Sequence, residues 1–396
     1  MKILIISPTP THPTNAGNRS RILNICQILR NKGFDVHFLY IKKEEYSYDS
    51  MFSFFNKGLF IYESDDPFVY FQKPPCFARI ASWLLSKFGF IHNDYFNRFK
   101  YNKNIDDYFP RGLPKYISDN LDVTSYDYLL VNYVVFSRAV FCFPDNVIRI
   151  LDTHDVLTNR YLNYLNIGLE PRWYSLHKRQ EAIGLNRFDI VWAIQDGELN
   201  YFKKLTTSKA CLFPYIPSIN CGFTVCEPNI LFLGSSNVIN IDGLRHFISD
   251  ILPILDGFNL NFKIFVAGSV CDFKNEFPHH PSVSYCGEIS DMIDFFKKGS
   301  IFINPIRTGT GIKIKTIDAL FFGKCVVSYK CGVEGLMDFD SDSVYYKLVS
   351  DEYGFALELK ALVENEDYLR SQLNITKDFR TAYLNYYNID ECFTVN

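Results

Sequence analysis

The sequence lacks three things at once. No segment approaches the roughly 20 consecutive apolar residues that a membrane-spanning helix needs. None of its 11 cysteines sits in a CxxC pair. There is no basic excess either: 41 Lys and Arg face 44 Asp and Glu, a net charge of −3. The first absence excludes a transmembrane helix, although attachment to a membrane surface stays open. The second, with cysteines scattered through apolar runs such as "SYCGE" and "GKCVVS", points to reduced, buried thiols in a cytoplasmic protein and away from a disulfide framework. The third argues against a partner such as nucleic acid, whose phosphates call for a large positive surplus. Any anionic ligand must be met locally. The opening "MKILIISPTP" has an apolar run of only four residues before Ser and Pro, too short for a signal peptide, and reads as a first strand.

What is present is a long, well-stocked chain. With 396 residues and 47% hydrophobic content it can fill two cores. Short β-branched runs recur, each closed by turn residues and most followed by an amphipathic stretch, the pattern of parallel βα units. They are "KILIIS", "FDVHFLYI", "DYLLVNYVVF", "VIRILDTHD" and "DIVWAIQ", then "NILFLGS", "FKIFVAG", "SVSYCGE", "SIFINPI" and "KCVVSYK". The series restarts at residue 229 after "CLFPYIPSINCGFTVCEP", whose Pro214, Pro217 and Pro228 would each break a helix or a central strand. This stretch, 211 to 228, is expected to be a linker. The expected fold is α/β, with two doubly wound Rossmann-like domains facing across a cleft and ligands at the carboxyl ends of the strands. One continuous sheet is the alternative, and ten strands would be near the limit for an open twisted sheet.

The most informative stretch is "RTGTGIKIKTIDALFFGK", residues 307 to 324. A Walker loop or a dinucleotide fingerprint can be laid over Gly309 and Gly311, and each fails at Ile314, where a glycine is required. Nucleotide hydrolysis of the kinase type and hydride transfer are thereby set aside. The remaining pattern is strand, glycine loop and a helix expected from about Gly311 to Phe322, stopped by Gly323. Lys313 and Lys315 fall in its first turn, with Arg307 upstream and no acid before Asp318. A helix N-terminus already carries about half a positive charge, so each lysine costs about 0.3 to 1 kcal/mol there unless an anion docks. A diphosphate fits that arrangement, and lysines that point into water account for it equally.

The run "NPIRTGTGIKIKTIDALFFGKCVVSYKCGVEGL" resembles the donor-site signature of glycosyltransferase family 4 and its GT-B relatives. Pro305, Gly309, Gly311, Lys313, Lys315, Ala319, Gly323, Val326, Val327, Gly332, Glu334, Gly335 and Leu336 match in register. "NILFLGSSNVINIDGLRHF", "FKIFVAG", "RFDIVWAIQDGELNYF" and the opening "SPTPTHPTNAGNRSRILNICQILRNKGFDVHFLY" extend the similarity over most of the chain, leaving residues 45 to 120 unexplained. The resemblance implies an N-terminal acceptor-side domain (1–217), a C-terminal nucleotide-sugar-binding domain (218–370) and a C-terminal helix (371–396) returning toward the first. It implies metal-independent transfer, with retention, from a nucleoside diphosphate sugar to a glycan or lipid-linked acceptor, as in surface polysaccharide synthesis, and no cofactor. Lys315, with Lys313 and the backbone around Thr310 to Ile312, would neutralise the diphosphate. Asp318 stands where the family has the ribose-binding glutamate, and Gly234 and Ser235 follow the first strand of the donor domain. Gly17, with Asn18 and Arg21 nearby, stands where the first loop meets diphosphate and acceptor. His154, beside Asp155 and Asp152, occupies the place of the family's active-site histidine. Thr310 replaces the family's first glutamate, and Ser235, Ser236 and Asn237 replace its Arg and Lys pair.

Residues 76 to 115 combine ten aromatic residues with seven basic against three acidic ones. That composition suits peripheral contact with an anionic membrane. Helices basic outside and aromatic inside would give the same composition. Two rivals to a transferase remain on the same scaffold: a sugar-nucleotide epimerase or hydrolase, and a module that binds nucleotide sugar or a partner without turnover.

Overall fold

Ile3, Leu4, Ile5 and Ile6 are all fully buried, as a strand covered on both faces requires. This computed structural model describes residues 1–14, 16–63, 98, 100–166, 170–171, 174–217, 227–289, 291–308, 312–336 and 339–395. The chain divides into two compact units. Unit 1 comprises Met1–His12, Cys26–Phe213 and Ile389–Asn396, and unit 2 comprises Pro13–Ile25 and Pro214–Asn388.

Unit 1 is built on a seven-stranded sheet in the order β3-β2-β1-β4-β5-β6-β7. Its strands are β1 (Lys2–Ser7), β2 (Asp35–Ile41), β3 (Leu59–Tyr62), β4 (Tyr128–Asn132), β5 (Ile148–Asp152), β6 (Ile190–Ala193) and β7 (Lys209–Leu212). Unit 2 has a six-stranded sheet in the order β10-β9-β8-β11-β12-β13. It contains β8 (Ile230–Leu233), β9 (Ile264–Ala267), β10 (Val283–Gly287), β11 (Ile301–Asn304), β12 (Cys325–Tyr329) and β13 (Tyr346–Val349). All neighbouring strands are parallel. Each sheet has its own apolar core, one gathering Leu39, Val131, Leu151 and Val191, the other Phe232, Ile264, Ile303 and Val327.

Two Rossmann-like sheets, not one continuous sheet, are therefore present. In each, strand order reverses once, between β1 and β4 and between β8 and β11. Ligands of doubly wound folds bind at such reversals, outside the carboxyl ends of the strands. Four helices concern the site: α1 (Gly17–Asn31), α2 (Lys178–Leu185), α3 (Val238–His246) and α4 (Ile314–Phe321).

Three expectations need correction. All ten expected strands form, but β3, β7 and β13 were not anticipated, and each closes an end of a sheet. The stretch expected to be a linker contains the end of β7, and Phe213 just after it stacks on Trp192 at 4.1 Å. The helix expected from Gly311 begins at Ile314 with Lys313 as its cap, and it ends at Phe321 with Gly323 in the left-handed region (φ 67°). Glycine takes that conformation without a Cβ clash, which makes it an effective helix stop.

Candidate functional site

In unit 2, the candidate donor residues follow the two strands that flank the reversal. Gly234 and Ser235 leave β8, while Arg307, Ile312 and Lys313 lie between β11 and α4. Gly309, Thr310 and Gly311 lie outside the described residues. Lys313 and Lys315 do not simply extend into water. Lys313 Nζ lies 4.0 Å from Glu334 Oε2. Lys315 is partly buried, and its Nζ donates to Asn240 Oδ1 and stands 5.2 Å from the centre of the Phe232 ring. Burial, and secondarily the charge of Lys313, lowers the Lys315 amine to about 7. It is thus a cation at the edge of losing its proton, a state that an incoming anion would reverse. Arg307 lies at the surface beside Asp242, 3.4 Å away.

Gly17, the first residue of α1, belongs to the same unit. A Cβ there would lie 3.3 Å from Ile314 Cδ1. The opening glycine loop and the start of α4 are therefore neighbours, although 297 residues separate them. Asn18 Oδ1 accepts from the Arg19 backbone N–H at 3.0 Å. Arg21 is fully buried, near enough to Tyr383 for its charge to act on that phenol.

Asp318, one turn after Lys315, faces inward and accepts from Tyr215 Oη at 2.9 Å. Burial pushes its carboxyl up to about 7, and the Tyr215 hydrogen bond partly offsets that shift. Behind α4 lies a small polar knot. Asn304 Nδ2 donates to Thr316 Oγ1 at 2.8 Å and to the Gly332 carbonyl at 3.0 Å, and Thr316 Oγ1 donates to that carbonyl at 2.7 Å. A Cβ at Gly332 would lie 2.2 Å from Ser328 Oγ and 2.7 Å from Asn304 Cγ, so only glycine lets the chains approach this closely. The knot holds the first turn of α4 on the β12 side of its sheet.

In unit 1, His154 ends the β5 segment with φ 63°, and Tyr133 ends the β4 segment with φ 66°. Left-handed backbone at non-glycine residues costs on the order of 1 kcal/mol or more and gathers at functional sites. The two rings stack at 4.3 Å with an interplanar angle of 16°. His154 Nε2 lies 2.9 Å from Asn132 Oδ1 and 3.0 Å from Asp152 Oδ2. Both partners are acceptors, so Nε2 carries a proton and donates to them. Asp152, not Asp155, is the carboxylate at His154, since Asp155 pairs with Arg160 at 3.2 Å. The loop after His154 is held from α2, where the buried Glu181 accepts from the backbone N–H groups of Leu157 (2.7 Å) and Thr158 (3.0 Å) and from Thr158 Oγ1 (2.6 Å).

Sequence reasoning missed Tyr215, Asn240, Asn132 and Glu181. No local signal marks them, because each acts on a residue distant in the chain. Among the described residues no group of three or more His, Cys, Asp or Glu side chains is placed to hold a metal ion, and no helix is long and apolar enough to cross a membrane. The eight described cysteines are free thiols. Most of the basic and aromatic stretch lies outside the described residues, and Tyr101, Tyr108 and Phe109 at its end are buried.

Residues 227–365, 139 of the 396 residues, match the family model described as glycosyl transferases group 1. That match, on one of two Rossmann-like sheets, is what a glycosyltransferase of GT-B architecture would present. Among curated relatives, the chain is 22% identical over 367 residues to an uncharacterized 44.6 kDa protein in the cps region of Klebsiella pneumoniae, covering 84% of each. Among solved structures it resembles a variant of TarM from S. aureus in complex with fondaparinux, alpha-GlcNAc-glycerol and UDP. That match has a TM-score of 0.65 and 12% identity, covering 99% of this chain and 98% of that one. It also resembles HepE of Anabaena in complex with UDP and glucose, with a TM-score of 0.63 and 11% identity, covering 98% and 96%.

Proposed function

We propose that this glycosyltransferase moves a sugar from a nucleoside diphosphate sugar, with retention and without a metal ion, to a glycan or lipid-linked acceptor in surface polysaccharide synthesis. The observation that carries the reading is the Lys315 amine at the start of α4, with Lys313 beside it and Gly17 against Ile314. Phosphoryl charge grows as the glycosyl bond breaks, and a preorganised cation stabilises that charge in the transition state. The helix N-terminus adds its partial charge to the lysines. Asp318 takes the ribose hydroxyls, and Gly234, Ser235, Arg307 and Ile312 serve the rest of the donor site. His154 faces the transferred sugar, with its orientation fixed by Asp152, Asn132 and Tyr133. Asn18 and Arg21 serve the acceptor side. The UDP in the TarM and HepE complexes and the glycan in TarM support this choice of donor and acceptor class.

The test is nucleotide release from a panel of UDP, GDP, ADP and CMP sugars. Slow release that an acceptor extract accelerates supports transfer. Binding with no release under any condition marks a nucleotide-sugar-binding module instead. Peripheral attachment to an anionic membrane at the inner face is tested by liposome flotation, where failure to float with anionic vesicles removes it.

A further inference from the structure

Lys315 reaches across to a different helix. Its Nζ leaves the first turn of α4 and donates to Asn240 Oδ1 on α3. Asn240 is itself tightly fixed. Its backbone N–H donates to Asn237 Oδ1 at 2.8 Å, and its Nδ2 donates to the Ser235 carbonyl (3.2 Å) and to Ser235 Oγ (3.0 Å). Its Cβ lies 3.3 Å from where a Cβ at Gly234 would stand, so the loop after β8 and the first turn of α3 close around it. With both Nδ2 bonds made to Ser235, the amide cannot rotate without breaking them, and Oδ1 is left facing the lysine.

An amide oxygen orients an ammonium without cancelling its charge. A carboxylate here would hold the lysine as well but would neutralise it, and the incoming diphosphate would have to displace a salt bridge. The Phe232 ring beneath Nζ closes the other side with a surface that attracts cations and cannot accept a proton. The charged groups on neighbouring segments are Lys313, Glu334 beside it, Arg307 with Asp242, and Asp318 on α4 itself. Of these, Lys313 acts on the Lys315 amine.

We propose that Asn240 is the positioning residue for Lys315, its side chain locked on Ser235 so that its oxygen holds the ammonium ready for the donor's diphosphate. The proposal rests on the reading of this site as the diphosphate site. It predicts opposite effects for two substitutions. Asn240→Leu removes the acceptor, so the amine loses its proton at lower pH. Asn240→Asp adds a negative charge, so the amine keeps its proton to higher pH.

The experiment reads the Lys315 amine directly, by pH-dependent amine labelling of the ligand-free enzyme and mass spectrometry of the Lys315 peptide. In parallel, UDP-glucose cleavage is followed across pH. Relative to wild type, the labelling midpoint and the alkaline limb of kcat/KM are expected to move down by about one pH unit in Asn240→Leu and up by a similar amount in Asn240→Asp. In Asn240→Leu, kcat is expected to fall about tenfold with KM changed less than threefold. Should Asn240→Leu not fold, Asn240→Ala carries the same comparison. Midpoints equal to wild type in both directions overturn the proposal. A wild type that cleaves no nucleotide sugar overturns the functional reading instead, while labelling still decides whether Asn240 controls the lysine.

Discussion

The Tyr215 hydroxyl donates to Asp318 Oδ1 at 2.9 Å, and both side chains are buried. Asp318 is an ordinary carboxyl of about 3.8 in the unfolded chain and is pushed up to about 7 in the fold, by burial first. The sign follows directly. The protonated form is the one the fold prefers, so its stabilisation is fully present below about pH 4 and is lost as pH rises to about 7. The loss is at most about 4 kcal/mol. Urea unfolding of the wild type and Asp318→Asn should converge near pH 4 and diverge near pH 8, with the asparagine variant more stable at the higher pH. Parallel curves would show that Asp318 does not titrate there.

Lys315, lowered to about 7, gives a dependence of the same direction in catalysis. Its charged form does the work, so kcat/KM should decline as pH rises through about 7. Lys315→Ala should lower turnover by about 100-fold, the scale of one lost charge-stabilising donor. Lys315→Arg, which stays charged at all accessible pH, should abolish the alkaline limb even where its altered geometry slows the reaction. Unchanged kinetics in Lys315→Ala would remove this lysine from the site.

Gly17 is limited by space, not by backbone angle. A methyl group at 3.3 Å from Ile314 Cδ1 requires that side chain to give by a few tenths of an ångström. Gly17→Ala should therefore cost only a few-fold in kcat/KM, whereas Gly17→Val should displace the start of α4 and cost about 100-fold or more. Thermal melting should change little in Gly17→Ala, since position 17 is exposed. Equal activity in the alanine and valine variants would show that this contact does not shape the donor site.

At His154, ring and backbone can be separated. His154→Gly removes the ring and relieves the positive φ of 63°, while His154→Ala removes the ring alone. Both should lose activity by about 100-fold or more, with the glycine variant melting at the higher temperature. Glu181→Ala leaves two backbone N–H groups and a hydroxyl without their acceptor. It should cost about 2 to 4 kcal/mol in chemical denaturation and lower kcat through the loop that follows His154.

The interior of both sheets was legible because a parallel strand buried on both faces is a continuous apolar run, as in "KILIIS" or "CVVSY". The missed strands are edges. "LFIY", "KACL" and "YKLV" are four residues each and mostly half-exposed, so neither length nor hydrophobicity announces them. Lys315 and Asp318 could be singled out because helix spacing puts them in one short motif, but their partners could not. Tyr215 lies 103 residues from Asp318 and Asn240 lies 75 from Lys315. Only the sheet order, which sets β8 beside β11, brings the second pair together.

Gly332 carries one more consequence, of a genetic kind. Every single-base change of a glycine codon that puts another amino acid in its place installs a Cβ, and here that atom would overlap Ser328 Oγ and crowd Asn304 Cγ. In a library of single-nucleotide variants selected for activity, position 332 should therefore read as invariant. The constraint would come from a side chain that must be absent, at a residue whose only hydrogen-bonding contribution to the knot is a backbone carbonyl.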